Sequence, residues 1–473
     1  MLPSNENKDI WPNRYDAPIK NNNDKNIWQT RHDAQIKIID DELKTFDPTV
    51  EWQARIRATL IALQAWSNDQ FQFFASGFDK KWLVGSRQHP AEYALRRTVD
   101  QTAYDIEVLR RAYMQRLPDK GTGSDTLARA DRLAYMALQP AINTGLLGET
   151  TVITYFQKEP NVRVIPYAPL ALIGIPYTCV DPENNAQDFL AIPHEVAHYV
   201  YAHGQKRDPV SGCLVNLRAL LHENITPYPS WYRIWIEEIF ADIYSTLVAG
   251  PVSALSMQEM LFDNLDLMDD HGHYPVPVIR PQTHIKVLRE MRRRASPDDL
   301  KKLFPKSLIN ELKDYWEINL LGKRGRDNDR GKRFIIRAQA PGSQYANRLT
   351  VTDYLTTTAN DIFKVLDDVL PKMIEYSWAK EANWSTDNSR EDLYARFRKN
   401  ILLNDDFLIE TLPPIVEGDQ FIRTDNDPPN QHRQWFDHLK SARDNGIILD
   451  PTVWKPLLGA GWVTNGPESD HPG

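Results

Sequence analysis

The feature that most constrains this chain is the pentapeptide His-Glu-Val-Ala-His at residues 194–198. Histidines four positions apart project from one face of an α-helix, because four residues advance the helix by slightly more than one turn. Two neutral imidazoles at that spacing can bind the same zinc ion. Glu195 lies beside them, where a carboxylate can hold a water molecule against the metal and take its proton. The segment therefore predicts a helix that carries His194 and His198 as zinc ligands.

A second helix is predicted at residues 231–249, where apolar side chains recur at helical spacing. Glu238 and Asp242 are i and i+4 on a face that is otherwise almost entirely apolar. Buried carboxylates are rare unless they are paired or bind a cation. We therefore predict Glu238 as the third zinc ligand and Asp242 as the acceptor for the outward nitrogen of a ligand histidine. Glu237 is the alternative ligand, but Ala241 follows it at i+4, so it lacks a partner carboxylate.

The pentapeptide followed by Glu-Ile-Phe-Ala-Asp resembles the gluzincin clan of zinc metallopeptidases. In that clan the first helix supplies two histidines, and the second supplies a glutamate within a Glu-x-x-x-Asp frame. The positions that match are His194, Glu195, His198, Glu238 and Asp242. The resemblance covers about residues 165–285 and implies a zinc-dependent endopeptidase of protein or peptide substrates, with Glu195 as the general base.

The segment after the second helix reads Asp-Asp-His-Gly-His-Tyr-Pro-Val-Pro-Val-Ile-Arg from residue 269. Peptide hydrolysis needs a donor to the tetrahedral oxyanion in addition to the metal. We predict Tyr274 and His273 in this catalytic role, with His271 as a further candidate. Arg280 is expected either to bind substrate or to pair with one of the two aspartates. A loop with incidental histidines is the alternative.

Residues 151–180 are rich in β-branched and aromatic side chains, which predicts strands. Three prolines in this stretch indicate short or edge strands, since proline cannot donate to a β-ladder. In gluzincins an edge strand before the metal-binding helix pairs with extended peptide, and residues 171–180 are the candidate here. A plain structural strand is the alternative. Pro193 either interrupts the following helix or marks its start.

The predicted fold class is mainly α (α+β), with a gluzincin-like catalytic core, a small edge sheet and an HExxH helix embedded between helical regions. Helical periodicity at residues 52–66 and 93–117 predicts helices before the core. The expected divisions are a tail at 1–33, a helical domain at 34–148, the zinc core at 149–300 and a mainly helical region at 301–473.

The first residues contain a near-duplication. Residues 10–20 realign on residues 27–37 with seven of eleven positions identical. The surrounding residues are rich in Asn, Asp and Lys, which predicts a disordered tail. The two copies are expected either to dock a partner, to cover the site, or to be passive.

Composition narrows the class of protein. The net charge of −8 argues against nucleic-acid binding. No window approaches 18 uninterrupted apolar residues, so no membrane span is expected. The first residues lack the apolar core of a signal peptide and the chain has two cysteines, so we expect a cytoplasmic protein. Two other functions stay open: a zinc hydrolase of a non-peptide amide or ester, and a non-enzymatic, metal-stabilised interaction module.

Overall fold

The computed structural model describes most of the chain between residues 22 and 458. The described ranges are 22–117, 123–207, 213–224, 230–262, 277–295, 301–320, 351–382, 390–415 and 444–454, with residues 275, 384, 441 and 458. Across these residues the chain is mainly helical with a small sheet, which confirms the predicted class. None of the helices in these ranges combines the length and apolar character that crossing a membrane requires.

Four helices precede the sheet. They are α1 (Asn22–Leu43), α2 (Glu51–Asp79), α3 (Ala91–Met114) and α4 (Gly123–Asn143). The helical segments predicted at residues 52–66 and 93–117 lie in α2 and α3, although α3 ends three residues before the predicted end. Buried side chains such as Ile56, Leu60 and Leu63 recur at helical spacing on α2 and pack with α3 against one face of the sheet.

The second copy of the duplicated segment lies in α1, within the region that the sequence predicted as a tail. His32 in this copy is buried, and its ring stacks on Phe71 with 4.3 Å between centroids. Its Nε2 atom lies 3.2 Å from Ser67 Oγ on α2. These tertiary contacts order a segment whose own composition is too polar to order itself. The first copy, residues 10–20, lies outside the described residues.

The sheet has three strands: β1 (Thr151–Gln157), β2 (Asn161–Arg163) and β3 (Leu170–Pro176). Their order is β1–β3–β2, with β3 parallel to β1 and antiparallel to β2. Alternate residues of β1 and β3 face two cores, one shared with α1–α3 and one shared with α4 and the later helices. Because both faces are covered, β3 is apolar along its whole length.

The predicted edge strand at residues 171–180 is wrong in its position. β3 is the central strand, and residues 177–180 form a short 3₁₀-helix. The strand with a single neighbour on the side of the metal-binding helix is β2, because Val162 pairs with Ile173. Local composition predicts a strand but does not encode which strands pair, since pairing is set by long-range contacts.

A buried carboxylate ties three helices to the sheet. Asp131 on α4 accepts hydrogen bonds from Arg116 Nη2 at 2.8 and 2.9 Å and from Arg55 Nη2 at 3.3 Å. The backbone N–H and hydroxyl of Thr154 on β1 also donate to it, at 2.6 and 2.7 Å. A buried charge with this many donors is compensated, and it holds α4 at a defined height on the sheet.

The chain continues through α5 (Ile192–His203), the hairpin of β4 (Gln205–Arg207) and β5 (Leu214–Asn216), and α6 (Leu217–Asn224). Next come α7 (Ser230–Ala249), α8 (Pro251–Phe262), α9 (Arg280–Arg294) and α10 (Lys306–Asp314). The last described helices are α11 (Val351–Val365), α12 (Leu370–Glu375), α13 (Ala379–Ala382), α14 (Leu393–Phe397) and α15 (Pro451–Trp454). Helix α7 lies between α5 and α9, and α4 shares their core.

Helix α5 starts and stops where local chemistry requires. It begins at Ile192, so Pro193 lies in the first turn, where its missing N–H has no intrahelical partner to lose. Gly204 ends the helix and donates its N–H to Val200 O at 2.7 Å. A Cβ at Gly204 would lie 2.4 Å from that carbonyl oxygen, so only glycine closes the helix in this way.

Two glycines in left-handed backbone conformations provide a matched test of packing at the end of α7. Gly250 has φ of +68°, and a Cβ placed there would lie 3.0 Å from Trp384 Nε1. Gly145 has φ of +75°, and nothing lies within 4 Å of its hypothetical Cβ. Gly145→Ala should therefore lower the free energy of unfolding by about 1–2 kcal/mol, the backbone cost alone.

Gly250→Ala should lower the free energy of unfolding by a further 1–3 kcal/mol or so, since overpacking against the indole adds to the backbone cost. Urea unfolding of both variants measures the difference. Equal losses for the two variants would contradict the close packing of Trp384 on this turn.

Candidate metal centre

Three side chains from α5 and α7 converge on one point. His194 Nε2 lies 3.3 Å from His198 Nε2. Glu238 Oε2 lies 3.4 Å from His194 Nε2, and Glu238 Oε1 lies 3.5 Å from His198 Nε2. Within the described part of the chain, these residues are the group of three metal-ligating side chains that could hold an ion.

The spacing of these atoms fits zinc. Donor atoms at about 2.05 Å from zinc in a tetrahedral site lie about 3.3 Å from one another. The separations of 3.3, 3.4 and 3.5 Å match the edges of such a tetrahedron. Two imidazole nitrogens and one carboxylate oxygen are also ligand types that zinc prefers. Three protein ligands, rather than four, are characteristic of catalytic zinc sites.

Glu237 and Glu238 occupy different sides of His198. Glu238 faces the Nε2 atom, whereas His198 Nδ1 donates a hydrogen bond to Glu237 Oε1 at 3.0 Å. Adjacent residues on a helix point about 100° apart, so the two carboxylates cannot both face the same point. This placement supports Glu238 over the alternative, Glu237, as a ligand.

Asp242 lies behind His194, on the side predicted from the sequence. Its Oδ1 atom is 3.5 Å from His194 Nδ1, while Arg280 donates to it through Nε at 2.8 Å and Nη2 at 2.7 Å. Arg280 Nη2 also contacts Glu238 Oε2 at 3.3 Å. His284, one turn further along α9, brings Nε2 to 3.6 Å from Asp242 Oδ1. The guanidinium thus joins the carboxylate of the candidate ligand to the one behind it.

Burial and neighbouring charges set the protonation of the cluster. Burial alone would lower the pKa of His198, but the carboxylates of Glu238 and Glu237 outweigh it and raise the pKa to about 9. Burial opposes the charge of Glu238, yet His198, His194 and Arg280 lower its pKa to about 2. The pKa of Asp242 is also held well below its usual range, against burial, chiefly by Arg280. Both carboxylates are therefore anionic at neutral pH and attract a cation.

Glu195 is buried on α5 next to His194. Burial raises the pKa of its carboxyl group, and the nearby positive ends of His198 and His194 only partly reverse that rise. Among the residues that the structure describes, its Oε2 atom has no hydrogen-bond partner. A carboxylate with a raised pKa and an unused oxygen is suited to accept a proton.

The residues predicted for the oxyanion, Tyr274 and His273, lie outside the described residues, as does His271. Sequence reasoning missed two groups at this site, Arg280 as the partner of Asp242 and His284. Their spacing of four residues on one helix, just after a pair of buried carboxylates, was the signal that could have found them. It also missed the contact of Glu237 with His198, for which local sequence carries no signal.

Comparisons with known proteins identify no relative of this chain. No family model, no curated protein and no solved structure matches it. A function for the chain must therefore be argued from the residues of this site and from the resemblance of their spacing to that of gluzincins.

The Arg280–Asp242 ion pair leads to a prediction about stability. Arg280→Met leaves Asp242 and Glu238 buried without this cation, so the free energy of unfolding should fall by about 3–5 kcal/mol. Urea unfolding in the presence of a chelator measures this loss without a contribution from bound metal.

Arg293→Met on the same helix is the matched control. Its side chain is 63% exposed and pairs with Glu290, so its loss should change stability by no more than about 1 kcal/mol. A loss at Arg280 as small as that at Arg293 would contradict the role assigned to the buried pair.

Proposed function

We propose that this chain is a zinc-dependent endopeptidase of the gluzincin type. The single observation that carries the proposal is the convergence of His194 Nε2, His198 Nε2 and a Glu238 carboxylate oxygen at 3.3–3.5 Å. Glu195 adds a buried carboxylate one residue from the first histidine. The metal ligands and the general base then come from two packed helices, as in gluzincins.

His194, His198 and Glu238 would hold the zinc ion. Bound zinc supplies a Lewis acid, which lowers the pKa of water and polarises a carbonyl oxygen. Glu195 takes the proton from the attacking water while the water oxygen bonds to the carbonyl carbon. The carbon–nitrogen bond then breaks, and Glu195 delivers that proton to the leaving nitrogen, so that the products are a carboxylate and an amine.

A peptide substrate is favoured by the position of β2. This strand has one neighbour, β3, among the described strands, and it packs beside α5. An edge strand can add an extended peptide through backbone hydrogen bonds. We propose a protein or peptide substrate for this reason, and a cytoplasmic location in keeping with the unpaired Cys179 and Cys213.

The first test of the proposal is metal content. The purified protein should contain about one zinc ion per chain by elemental analysis, since three strong ligands converge at one point. The double variant with His194→Ala and His198→Ala should contain almost none. A wild-type protein that fails to bind added zinc would overturn the proposal.

The second test is the role of Glu195. Glu195→Gln should keep its zinc, because Glu195 is not a ligand, but should lose nearly all peptide hydrolysis, because an amide cannot take the proton of water. Glu107→Gln, at an exposed position on α3, is the control and should behave as wild type. Mass spectrometry of new N-termini, after incubation with a mixture of denatured proteins, measures the activity.

The same assay separates the other two functions. Cleavage of small amides or esters, without new peptide N-termini, would indicate a non-peptide hydrolase. Zinc binding without hydrolysis of either substrate class would indicate a metal-stabilised interaction module. Each of these outcomes would overturn the endopeptidase proposal while leaving the zinc site in place.

A further inference from the structure

The imidazole of His198 lies between two carboxylates that belong to neighbouring residues of α7. Its Nδ1 atom contacts Glu237 Oε1 at 3.0 Å, and its Nε2 atom faces Glu238 Oε1 at 3.5 Å. The side chain of His198 is only 1% exposed, so water competes little for either nitrogen. The two ring nitrogens of this histidine are thereby assigned to different partners.

The contact at Nδ1 determines which nitrogen carries the proton. A carboxylate can only accept a hydrogen bond, so Nδ1 must be the protonated nitrogen of the neutral ring. The lone pair then lies on Nε2, the atom that converges with His194 and Glu238. The orientation of the ring is set by the same contact, because the bond to Glu237 opposes rotation about the side chain.

The two candidate histidine ligands differ in their outer partners. Asp242 lies behind His194, but its charge is already taken up by the two hydrogen bonds from Arg280. The side chain of Glu237 is 21% exposed, so water stabilises its negative charge without a cation beside it. His198 therefore has the closer outer acceptor, at 3.0 Å against 3.5 Å for His194.

We infer that Glu237 is a positioning residue that fixes the Nδ1–H tautomer and the orientation of His198 as a zinc ligand. The inference rests on the proposed zinc site and adds a residue that is neither a ligand nor the general base. Outer acceptors of this kind typically change metal affinity by about 10- to 100-fold when they are removed.

Three substitutions test the inference. Glu237→Ala removes the acceptor, Glu237→Asp shortens the side chain by one methylene, and Glu237→Gln keeps an acceptor oxygen at nearly the same place. Competition with a chromophoric chelator measures the zinc dissociation constant of each variant. We expect a weakening of about 10- to 100-fold for Ala and Asp and a smaller one for Gln, which rescues the contact.

A second measurement reports on His198 itself. In the zinc-loaded protein with ¹⁵N-labelled histidine, the Nδ1–H resonance of His198 should shift in Glu237→Ala and return most of the way in Glu237→Gln. A purely structural role for Glu237 would not move this resonance selectively. Glu290→Gln is the matched control, since that carboxylate is 19% exposed and ion-paired on α9, and it should leave both measurements unchanged.

The outcomes separate this inference from the proposed function. If the wild type binds zinc and all three variants bind it within about threefold of wild type, the inference is overturned and the zinc site stands. If the wild type binds no zinc, the proposed function fails and the inference fails with it. Should Glu237→Ala not fold, tighter zinc binding by the Gln variant than by the Asp variant supports the inference, and equal binding overturns it.

Discussion

The ion pair between Arg280 and Asp242 is the interaction on which the site and the surrounding core depend. Asp242 is 1% exposed, and Glu238 one turn before it is 6% exposed. An uncompensated charge in such a place costs several kcal/mol, so a buried carboxylate pair requires a cation nearby. Arg280 meets that requirement from α9 with two short bonds to Asp242 and one contact to Glu238. Helix α9 is thereby fixed against α7, and the carboxylate of Glu238 is held towards the histidines of α5.

The same arrangement recurs elsewhere in the fold. Asp131 binds Arg116 and Arg55 beneath β1, and Asp105 on α3 binds Arg163 Nε at 2.7 Å and the Tyr167 hydroxyl at 2.9 Å. Buried ion pairs contribute little net stability over apolar packing, but breaking one is costly, because a lone charge remains. Their effect here is to restrict how helices sit on the sheet. Since α4 and the sheet form one side of the core that contains α5, this restriction extends to the position of the metal-binding helix.

Much of the helical framework could be predicted, because it follows from local periodicity. Helices α2 and α3, the start of α5 near Pro193 and the shared face of Glu238 and Asp242 all depend on residues within a few turns of one another. The central position of β3 could not be predicted, since strand order depends on pairing between distant segments. The partnership of Arg280 with Asp242 spans 38 residues and was missed for the same reason. Order in α1 was underestimated because it comes from contacts with α2 rather than from the composition of the segment.

The pair Glu237–Glu238 shows why one ambiguity could not be resolved from sequence. Read alone, the two glutamates compete for a single role as third ligand, and only the aspartate at i+4 favours Glu238. In three dimensions they do not compete, because successive helical side chains diverge by about 100° and the two nitrogens of an imidazole also point in different directions. One helix can therefore supply both a carboxylate for the Nε2 side of His198 and an acceptor for its Nδ1 side. A pair of adjacent acidic residues facing a histidine helix is in this sense a single device, in which the more exposed carboxylate orients the ring and the buried one meets the converging nitrogens.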